Sequence, residues 1–233
     1  FAYLVPALLA GGKVIISTGT KTLQDQLFNR DLPQLRSALK APVSIALLKG
    51  RANYICNYQL EKVLNGPNAS FANRYGYKYL RHIESYANVS DHGDKSGLSE
   101  VPENAAVWQQ VTSTRDNCLG SDCPSYKKCF VMDARKKALS AEVVVVNHHL
   151  FFADVMLRDE GLSELLPACN TVIFDEAHQL PETASLFFGE SVSTSQLLDL
   201  ARDTKVEAVQ ARLGTVERDG ARIINDPVVQ GAT

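Results

Sequence analysis

Two adjacent carboxylates, Asp175 and Glu176, are the residues of this sequence whose types and position most directly suggest chemistry. They follow the apolar run TVIF and precede Ala177 and His178. An Asp at the end of a buried strand can hold Mg²⁺, and the Glu beside it can orient or deprotonate the water that attacks a γ-phosphate. The alternative is an ordinary strand end with acidic residues and a histidine on the next helix. The pattern favours a magnesium-dependent nucleotide site.

A magnesium carboxylate needs phosphates to act on, and the usual phosphate-binding loop, G-x-x-x-x-G-K-S/T, does not occur in these 233 residues. The sequence GGKV at residues 11–14 is no substitute, because it lacks the preceding glycine and the hydroxyl residue after the lysine. If such a loop ended just before Phe1, its helix would be FAYLVPALLA and the next strand KVIIST. We therefore expect this chain to be a fragment cut after the loop.

Five cysteines form a second candidate site, because Cys118, Cys123 and Cys129 lie close together and Cys56 lies upstream. An odd count without a secretion signal argues against a disulfide set and favours metal ligation. The gaps of four and five residues are wider than those of zinc knuckles and do not match common ferredoxin spacings either. Spacing alone leaves open an iron-sulphur cluster, a zinc site and free thiols. Cys169, at a strand entry, is predicted to be a core residue.

Composition predicts a globular chain, since 45% of the residues are hydrophobic. The net charge of −2 gives no overall basic field, so any nucleic-acid contact must come from local patches. No apolar run approaches the roughly 18 residues of a membrane span. We expect a cytoplasmic protein without membrane contact.

The elements that must position these residues follow an α/β pattern. Four apolar runs predict strands: KVIIST, VSIALLKG, EVVVVNHHLFF and NTVIFDEAHQL. Helical patterns lie between them, and Thr20 or Thr22 can cap the helix after the first strand. Apolar runs that alternate with helices are typical of a parallel sheet covered on both faces. Ligands of such sheets bind beyond the carboxyl ends of the strands, where Asp175 and Glu176 would lie.

The middle of the chain, residues 49–139, has a different character. It is rich in Asn, Ser, Tyr and charged residues, has weak apolar periodicity, and contains four of the five cysteines. We predict an insertion into a sheet domain formed by residues 1–48 and 140–190. Residues 191–233 are helical and polar in pattern, with no further strand predicted, and begin another module.

The motifs together resemble one family. The chain is similar to the XPD-like iron-sulphur DNA helicases of superfamily 2, in their DinG family and nearest to the YoaA-type bacterial members. The resemblance rests on ISTGTKTLQDQL, LLKGRANYIC, NCLGSDCPSYKKCF, VVVVNHHLFF and the DEAH sequence, in the family's order. It implies a RecA-like P-loop NTPase domain interrupted by a small, mainly helical iron-sulphur domain, with a helical arch beginning at about residue 191.

The resemblance also implies roles for individual residues. Asp175 and Glu176 would serve ATP as the magnesium and water-activating pair, and His178 would link nucleotide state to the partner domain. The ligands of a 4Fe–4S cluster would be Cys56, Cys118, Cys123 and Cys129. The single DNA strand would face Thr18, Thr20 and Gln24. The second RecA-like domain and its arginine finger are absent from the sequence, so this chain alone is expected not to turn over ATP.

Positive charge is concentrated beside the cysteines, at Lys49, Arg51, Lys127 and Lys128. Phosphate contacts with a single strand need only such a local strip. By themselves these residues would more often be solvated helix faces, and the resemblance favours DNA contact instead.

The adjacent pair His148 and His149 looks like a metal site only at first sight. Neighbouring residues of a helix point about 100° apart, so two adjacent histidines do not converge on one ion. We interpret the pair as helix capping and core.

The expected function is that of an ATP-dependent DNA helicase fragment acting in DNA repair or replication. As the resemblance implies, it would translocate 5′ to 3′ on single-stranded DNA and unwind forked DNA, with the iron-sulphur domain at the point of strand separation. Repair or replication proteins are expected partners. The alternative is a non-enzymatic iron-sulphur module that binds DNA or senses redox state, and a weaker one is an iron-sulphur nuclease.

Overall fold

The computed structural model describes residues 2–9, 11–66, 74–159, 161, 165–190, 192–210, 215–218 and 221–224. The chain divides into two units, one up to Phe187 and one from Phe188 onward. No helix among the described residues is long and apolar enough to cross a membrane.

In the first unit, one or more helices separate each pair of successive strands. The helices of the chain are α1 Leu4–Leu9, α2 Lys21–Gln26, α3 Leu32–Leu39, α4 Asn57–Asn65, α5 Arg74–Val89, α6 Val107–Val111, α7 Phe130–Ser140, α8 His148–Asp159, α9 Leu180–Phe188 and α10 Thr194–Gln210. The strands are β1 Val14–Thr18, β2 Ile45–Leu47, β3 Val143–Asn147, β4 Thr171–Phe174, β5 Thr215–Arg218 and β6 Ala221–Ile224.

Strands β1 to β4 form one sheet in the order β2-β3-β1-β4. All three pairings are parallel, and Ile16 of β1 lies opposite Val145 of β3 and Ile173 of β4. Parallel strands need a crossover connection, and helices supply it between each successive pair. The four apolar runs of the sequence are these four strands. The predicted α/β fold with a parallel sheet is confirmed.

Side chains of the sheet alternate between two apolar cores. On one face, Val14 and Ile16 pack with Leu4 and Leu8 of α1 and with Leu32 of α3. Successive side chains of a strand point to opposite faces, which explains why every residue of β1 is buried. Each aliphatic side chain buried in this way stabilises the fold by about 1.5–3 kcal/mol.

The opposite face is covered by α7 and α8. There, Ile15, Val144 and Val146 pack with Ala138 of α7, and Phe151 of α8 packs against them. Helices therefore lie on both faces of the sheet, as the continuous apolar strands predicted.

Helix α2 begins at Thr20, whose hydroxyl accepts a hydrogen bond from the backbone N–H of Leu23 at 3.2 Å. Of the two caps that the sequence allowed, Thr20 is the one used. The chain then passes through a π-helical turn, Leu27–Asp31, before α3. Pro33, near the start of α3, has no N–H to donate, which explains why the regular α-helical bonding is interrupted here.

The chain between β2 and β3 builds a second hydrophobic core from its own helices. Leu60 of α4, Ile83 of α5 and Trp108 and Val111 of α6 are among its buried residues. This segment is helical and contains no strand of the sheet among its described residues, which are 48–66 and 74–142. Residues 67–73 lie outside the described part.

The second unit contains α10 and an antiparallel pair, β5 and β6, in which Thr215 lies opposite Ile224. The sequence analysis predicted no strand after Ser191, so this expectation was wrong. The segments TVER and ARII are only four residues long, too short to be recognised as strands from the sequence. The helical pattern predicted after residue 191 is observed in α10, and residues 211–214 lie outside the described part.

Candidate functional site

The acidic pair lies at the carboxyl end of β4, where the strand passes into a short 3₁₀ turn. The backbone N–H of Asp175 donates to the carbonyl of Ser17 in β1 at 2.8 Å. The hydroxyl of Tyr3 donates to Asp175 Oδ2 at 2.7 Å. Burial raises the pKa of Tyr3, and its bond to Asp175 raises that pKa further. Asp175 is thus anchored through its backbone and its carboxylate by residues from the other end of the sequence.

Glu176 has an unusual backbone conformation, with φ of 55° and ψ of 41°. A non-glycine residue in this left-handed region costs on the order of 1–3 kcal/mol and is typical of functional sites. Its side chain is 44% exposed, and Oε2 lies 3.5 Å from Nδ1 of His178, which is 71% exposed. The fold therefore presents one anchored and one accessible carboxylate at the edge of the sheet where ligands bind.

A buried histidine lies directly behind this pair. His148, the first residue of α8, hydrogen-bonds through Nδ1 with the hydroxyl of Ser17 at 2.7 Å, and both residues are fully buried. Burial lowers the pKa of His148, while the carbonyl groups of Asp175 and Glu176 act in the opposite direction. Its Nε2 has no hydrogen-bond partner among the described residues. An unsatisfied buried polar group costs about 1–3 kcal/mol, which makes this atom unusual.

The interpretation of the two histidines was partly right. His148 is a core residue, whereas His149 is exposed and its ring contacts Phe187 edge-on. The cap of α8 is Asn147, whose side-chain oxygen accepts from the backbone N–H of Leu150 at 2.9 Å.

The loop that follows β1 packs against the turn that follows the acidic pair. A Cβ atom added at Gly19 would overlap the side-chain amide of Gln179. The loop Thr18–Thr20 and the turn are therefore in close contact through Gly19 and the Gln179 side chain, which would have to shift if a larger residue replaced the glycine. The loop after β1 thus contacts the turn that follows the acidic pair.

Three of the residues predicted to contact DNA have buried side chains in this structure. Thr18 and Gln24 are 0% exposed, and the Lys49 side chain is 2% exposed. Gln24 Nε2 donates to the carbonyl of Leu48 at 3.0 Å, so it joins α2 to the sheet instead of facing outward. The predicted contacts that remain accessible are Thr20, Arg51, Lys127 and Lys128.

Lys49 forms a buried ion-pair centre between α2 and the inserted segment. Its Nζ lies 2.6 Å from Asp25 Oδ1 and 2.6 Å from Asp94 Oδ2, and it donates to Ser96 Oγ at 3.1 Å. Its backbone N–H donates to the hydroxyl of Tyr54, which is itself buried, at 3.0 Å. A lysine with two carboxylates is neutralised locally, which makes its burial possible. Lys49 therefore fixes the inserted segment to the first helix after β1.

Replacing Lys49 by Met is expected to destabilise the 233-residue chain by about 3 kcal/mol, because the two carboxylates would face each other without a cation. Removing one partner of a buried ion pair usually costs about 3–5 kcal/mol. We expect the lower end of that range because Asp25 and Asp94 are 26% and 16% exposed, so water reaches them. Urea unfolding followed by circular dichroism measures the difference.

Two further variants sharpen this prediction. Asp25→Asn should cost less than Lys49→Met, because Asp94 still pairs with the ammonium. Lys78→Met, at an exposed position of α5, should change the free energy of unfolding by no more than about 0.5 kcal/mol. Equal stability of Lys49→Met and Lys78→Met would contradict a structural role for the buried pair.

The four cysteines assigned to a cluster line a single cavity of about 350 Å³. Burial raises the pKa of Cys56, and the proximity of Cys129 and Cys123 raises it further. Cys118 is exposed, and Cys123 and Cys129 are half-buried. Within the described residues, no three Cys, His, Asp or Glu side chains converge closely enough to hold a metal ion as they stand.

The side chains that line this cavity nevertheless fit a metal cluster that is bound by thiolates and carries negative charge. Four thiols face one space, and the cavity wall also contains Arg51, Arg115 and Arg135, whose charges would offset those of thiolates. Cys169 does not line the cavity, and its side chain packs against the core beneath the sheet, as predicted.

The residues that support the acidic pair could not be recognised from the sequence. Tyr3 lies 172 positions from Asp175, and Ser17 lies 131 positions from His148. One signal was available for Ser17 and His148, because both stand at the carboxyl ends of predicted strands, where parallel strands bring side chains together. Nothing in the local sequence marks Tyr3 or the partners of Lys49.

Known proteins provide the remaining comparison. No protein-family model matches the chain. The chain is 54% identical over 207 residues to the ATP-dependent DNA helicase YoaA of Escherichia coli K12, covering 88% of the chain and 32% of that protein. It is 46% identical over 232 residues to YoaA of Haemophilus influenzae, covering 97% of the chain and 36% of the relative.

A more distant relative is the ATP-dependent helicase DinG of Mycobacterium tuberculosis H37Rv, which is 32% identical over 252 residues and 98% of the chain. The match covers 34% of that protein, so the chain spans about a third of the length of these relatives. The three matches cover between 88% and 98% of the chain. The chain therefore belongs to the DinG and YoaA family of ATP-dependent DNA helicases.

Proposed function

We propose that this chain forms part of the motor of an ATP-dependent DNA helicase. The observation that carries the proposal is the acidic pair at the carboxyl edge of a parallel sheet, with Asp175 anchored by Tyr3 and Glu176 accessible. Because the chain matches about a third of each relative, we propose that it works within a protein of their length, called the full-length protein below.

In the proposed reaction, Asp175 holds the Mg²⁺ that accompanies ATP, and Glu176 orients and deprotonates the attacking water. The hydrogen bond from Tyr3 supports this assignment, because it fixes one oxygen of Asp175 in place. Glu176 accepts the proton, so its carboxylate must be free, and it is 44% exposed. His178, beside Glu176, would report nucleotide state to the partner domain.

We further propose that Cys56, Cys118, Cys123 and Cys129 hold a 4Fe–4S cluster. When bound, such a cluster would act as a rigid cross-link for a segment that has little regular structure around these cysteines. The shared cavity and its arginines support the assignment. The chain's own contribution is to bring thiols from both ends of the inserted segment to one cavity.

The proposed path of single-stranded DNA passes the loop ending at Thr20 and the basic residues near the cysteines. Arg51 lines the cysteine cavity, and Lys127 and Lys128 are exposed on a 3₁₀ turn between Cys123 and Cys129. Forked DNA would be separated at this segment, with translocation 5′ to 3′. We also propose repair or replication proteins as partners and a cytoplasmic, nucleoid-associated location.

The domain organisation belongs to the same proposal. Residues 1–48 and 140–190 would form the first RecA-like domain, residues 49–139 the iron-sulphur insertion, and residues 191–233 the start of the helical arch. The separate hydrophobic core of the inserted segment supports its treatment as a domain.

An unwinding assay tests the proposed function and its polarity. The full-length protein should separate a duplex with a 5′ single-stranded tail when ATP and Mg²⁺ are present, and it should leave a duplex with a 3′ tail intact. Replacing ATP with a non-hydrolysable analogue is the control and should abolish separation. If the protein bound DNA but neither unwound it nor hydrolysed ATP in response to it, the result would instead support a non-enzymatic DNA-binding module.

A further inference from the structure

The end of β1 is connected to the acidic pair in two ways. The carbonyl of Ser17 accepts from the backbone N–H of Asp175 at 2.8 Å, and the hydroxyl of Ser17 bonds with His148 Nδ1 at 2.7 Å. Both Ser17 and His148 are fully buried, so neither side chain touches solvent or a ligand in solution. Ser17 immediately precedes the loop Thr18–Thr20.

His148 has one ring nitrogen in use and one without a partner. Nε2 is buried and makes no hydrogen bond within the described part of the chain, although the carbonyl groups of Asp175 and Glu176 lie near the ring. Glu176 beside it has a positive φ of 55°. A small movement of the Asp175–Glu176 backbone would bring one of these carbonyl groups into hydrogen-bonding geometry with Nε2. The segment therefore has a physical reason to adopt two arrangements.

The position of the loop Thr18–Thr20 can determine which of these two backbone arrangements is adopted. Thr18 Oγ1 donates to the carbonyl of Thr20 at 3.2 Å, and Gly19 lies against the side-chain amide of Gln179. A displacement of this loop therefore moves Ser17 on one side and the turn after Glu176 on the other. Coupling of this kind needs an element with two states that both sites influence.

We propose that Ser17 and His148 form a positioning pair that sets the backbone of Glu176 in response to a DNA strand held at the loop Thr18–Thr20. The inference rests on the proposed helicase function and deepens it, because it names the contact through which DNA would stimulate ATP hydrolysis. Ser17 and His148 are positioning residues, and neither touches the nucleotide.

The test measures ATP hydrolysis by the full-length protein with and without saturating single-stranded DNA. Ser17→Ala and His148→Ala are expected to lower the ratio of DNA-stimulated to basal turnover about tenfold, a typical size for coupling between two sites. His148→Asn should retain most of the ratio, because its amide can still hydrogen-bond with the Ser17 hydroxyl from nearly the position of Nδ1. His149→Ala, at the exposed neighbouring position, is the matched control and should leave the ratio within about twofold of the unsubstituted protein.

The outcomes separate coupling from a purely structural role. Partial unfolding lowers basal and stimulated turnover by the same factor, so an unchanged ratio in Ser17→Ala and His148→Ala would overturn the inference. Failure of His148→Asn to restore the ratio would also overturn it, since the bond to Ser17 would then not be the relevant contact. Absence of DNA-stimulated hydrolysis in the unsubstituted protein would overturn the proposed function itself, together with this inference.

Discussion

Replacing Glu176 by Gln in the full-length protein is expected to lower DNA-stimulated ATP turnover by about 10²- to 10⁴-fold, the usual contribution of a general base. The amide keeps the shape of the side chain but cannot accept a proton from the attacking water. ATP binding should persist, because Asp175 and its bond from Tyr3 are unchanged. Phosphate release measured at saturating ATP and DNA gives the turnover.

The control for this prediction is Glu182→Gln, at an exposed position of α9. It changes the net charge equally and should leave turnover unaffected. Single-strand binding, measured by fluorescence anisotropy, should remain in the Glu176 variant, since the exposed Thr20, Lys127 and Lys128 are intact. Near-normal turnover by Glu176→Gln would show that the acidic pair is wrongly assigned.

The second large effect is expected at the cysteines. The protein prepared without oxygen should be brown and contain about four irons per chain, because four thiols share one cavity. Cys118→Ser or Cys129→Ser should lose the colour and most of the iron, since a serine hydroxyl does not replace a thiolate ligand. Iron analysis and visible absorbance measure both.

Cys169→Ser is the matched control, because Cys169 packs against the core under the sheet and does not line the cavity. It should retain the iron. Stoichiometric zinc without visible absorbance in anaerobic preparations would contradict the assignment of an iron-sulphur cluster and favour a zinc site with the same ligands.

The residues predicted to contact DNA show that a sequence motif does not specify which of its side chains are exposed in the fold. Thr18, Gln24 and Lys49 lie in the sequences that resemble the family, but their side chains are buried and bonded within the fold. Thr20, in the same stretch, is exposed. A motif therefore does not state which of its side chains face outward.

The fold class and the location of the acidic pair could be predicted because their signals are local. Apolar runs mark the strands, and a parallel sheet places the carboxyl ends of its strands at one edge, so the sequence alone assigns Asp175 and Glu176 to that edge. The antiparallel pair β5 and β6 escaped prediction, since its residues alternate weakly and depend on each other for pairing.

The sequence by itself determined which segments become the strands of the parallel sheet and where the acidic pair stands, because these follow from apolar runs and position along the chain. Only the tertiary structure decided that Tyr3 holds Asp175, that Ser17 holds His148, and that Lys49 is buried. Burying a charge or a polar group is favourable only when partners converge on it from distant segments. That convergence is set by the packing of helices on the sheet, which no local pattern of residues records.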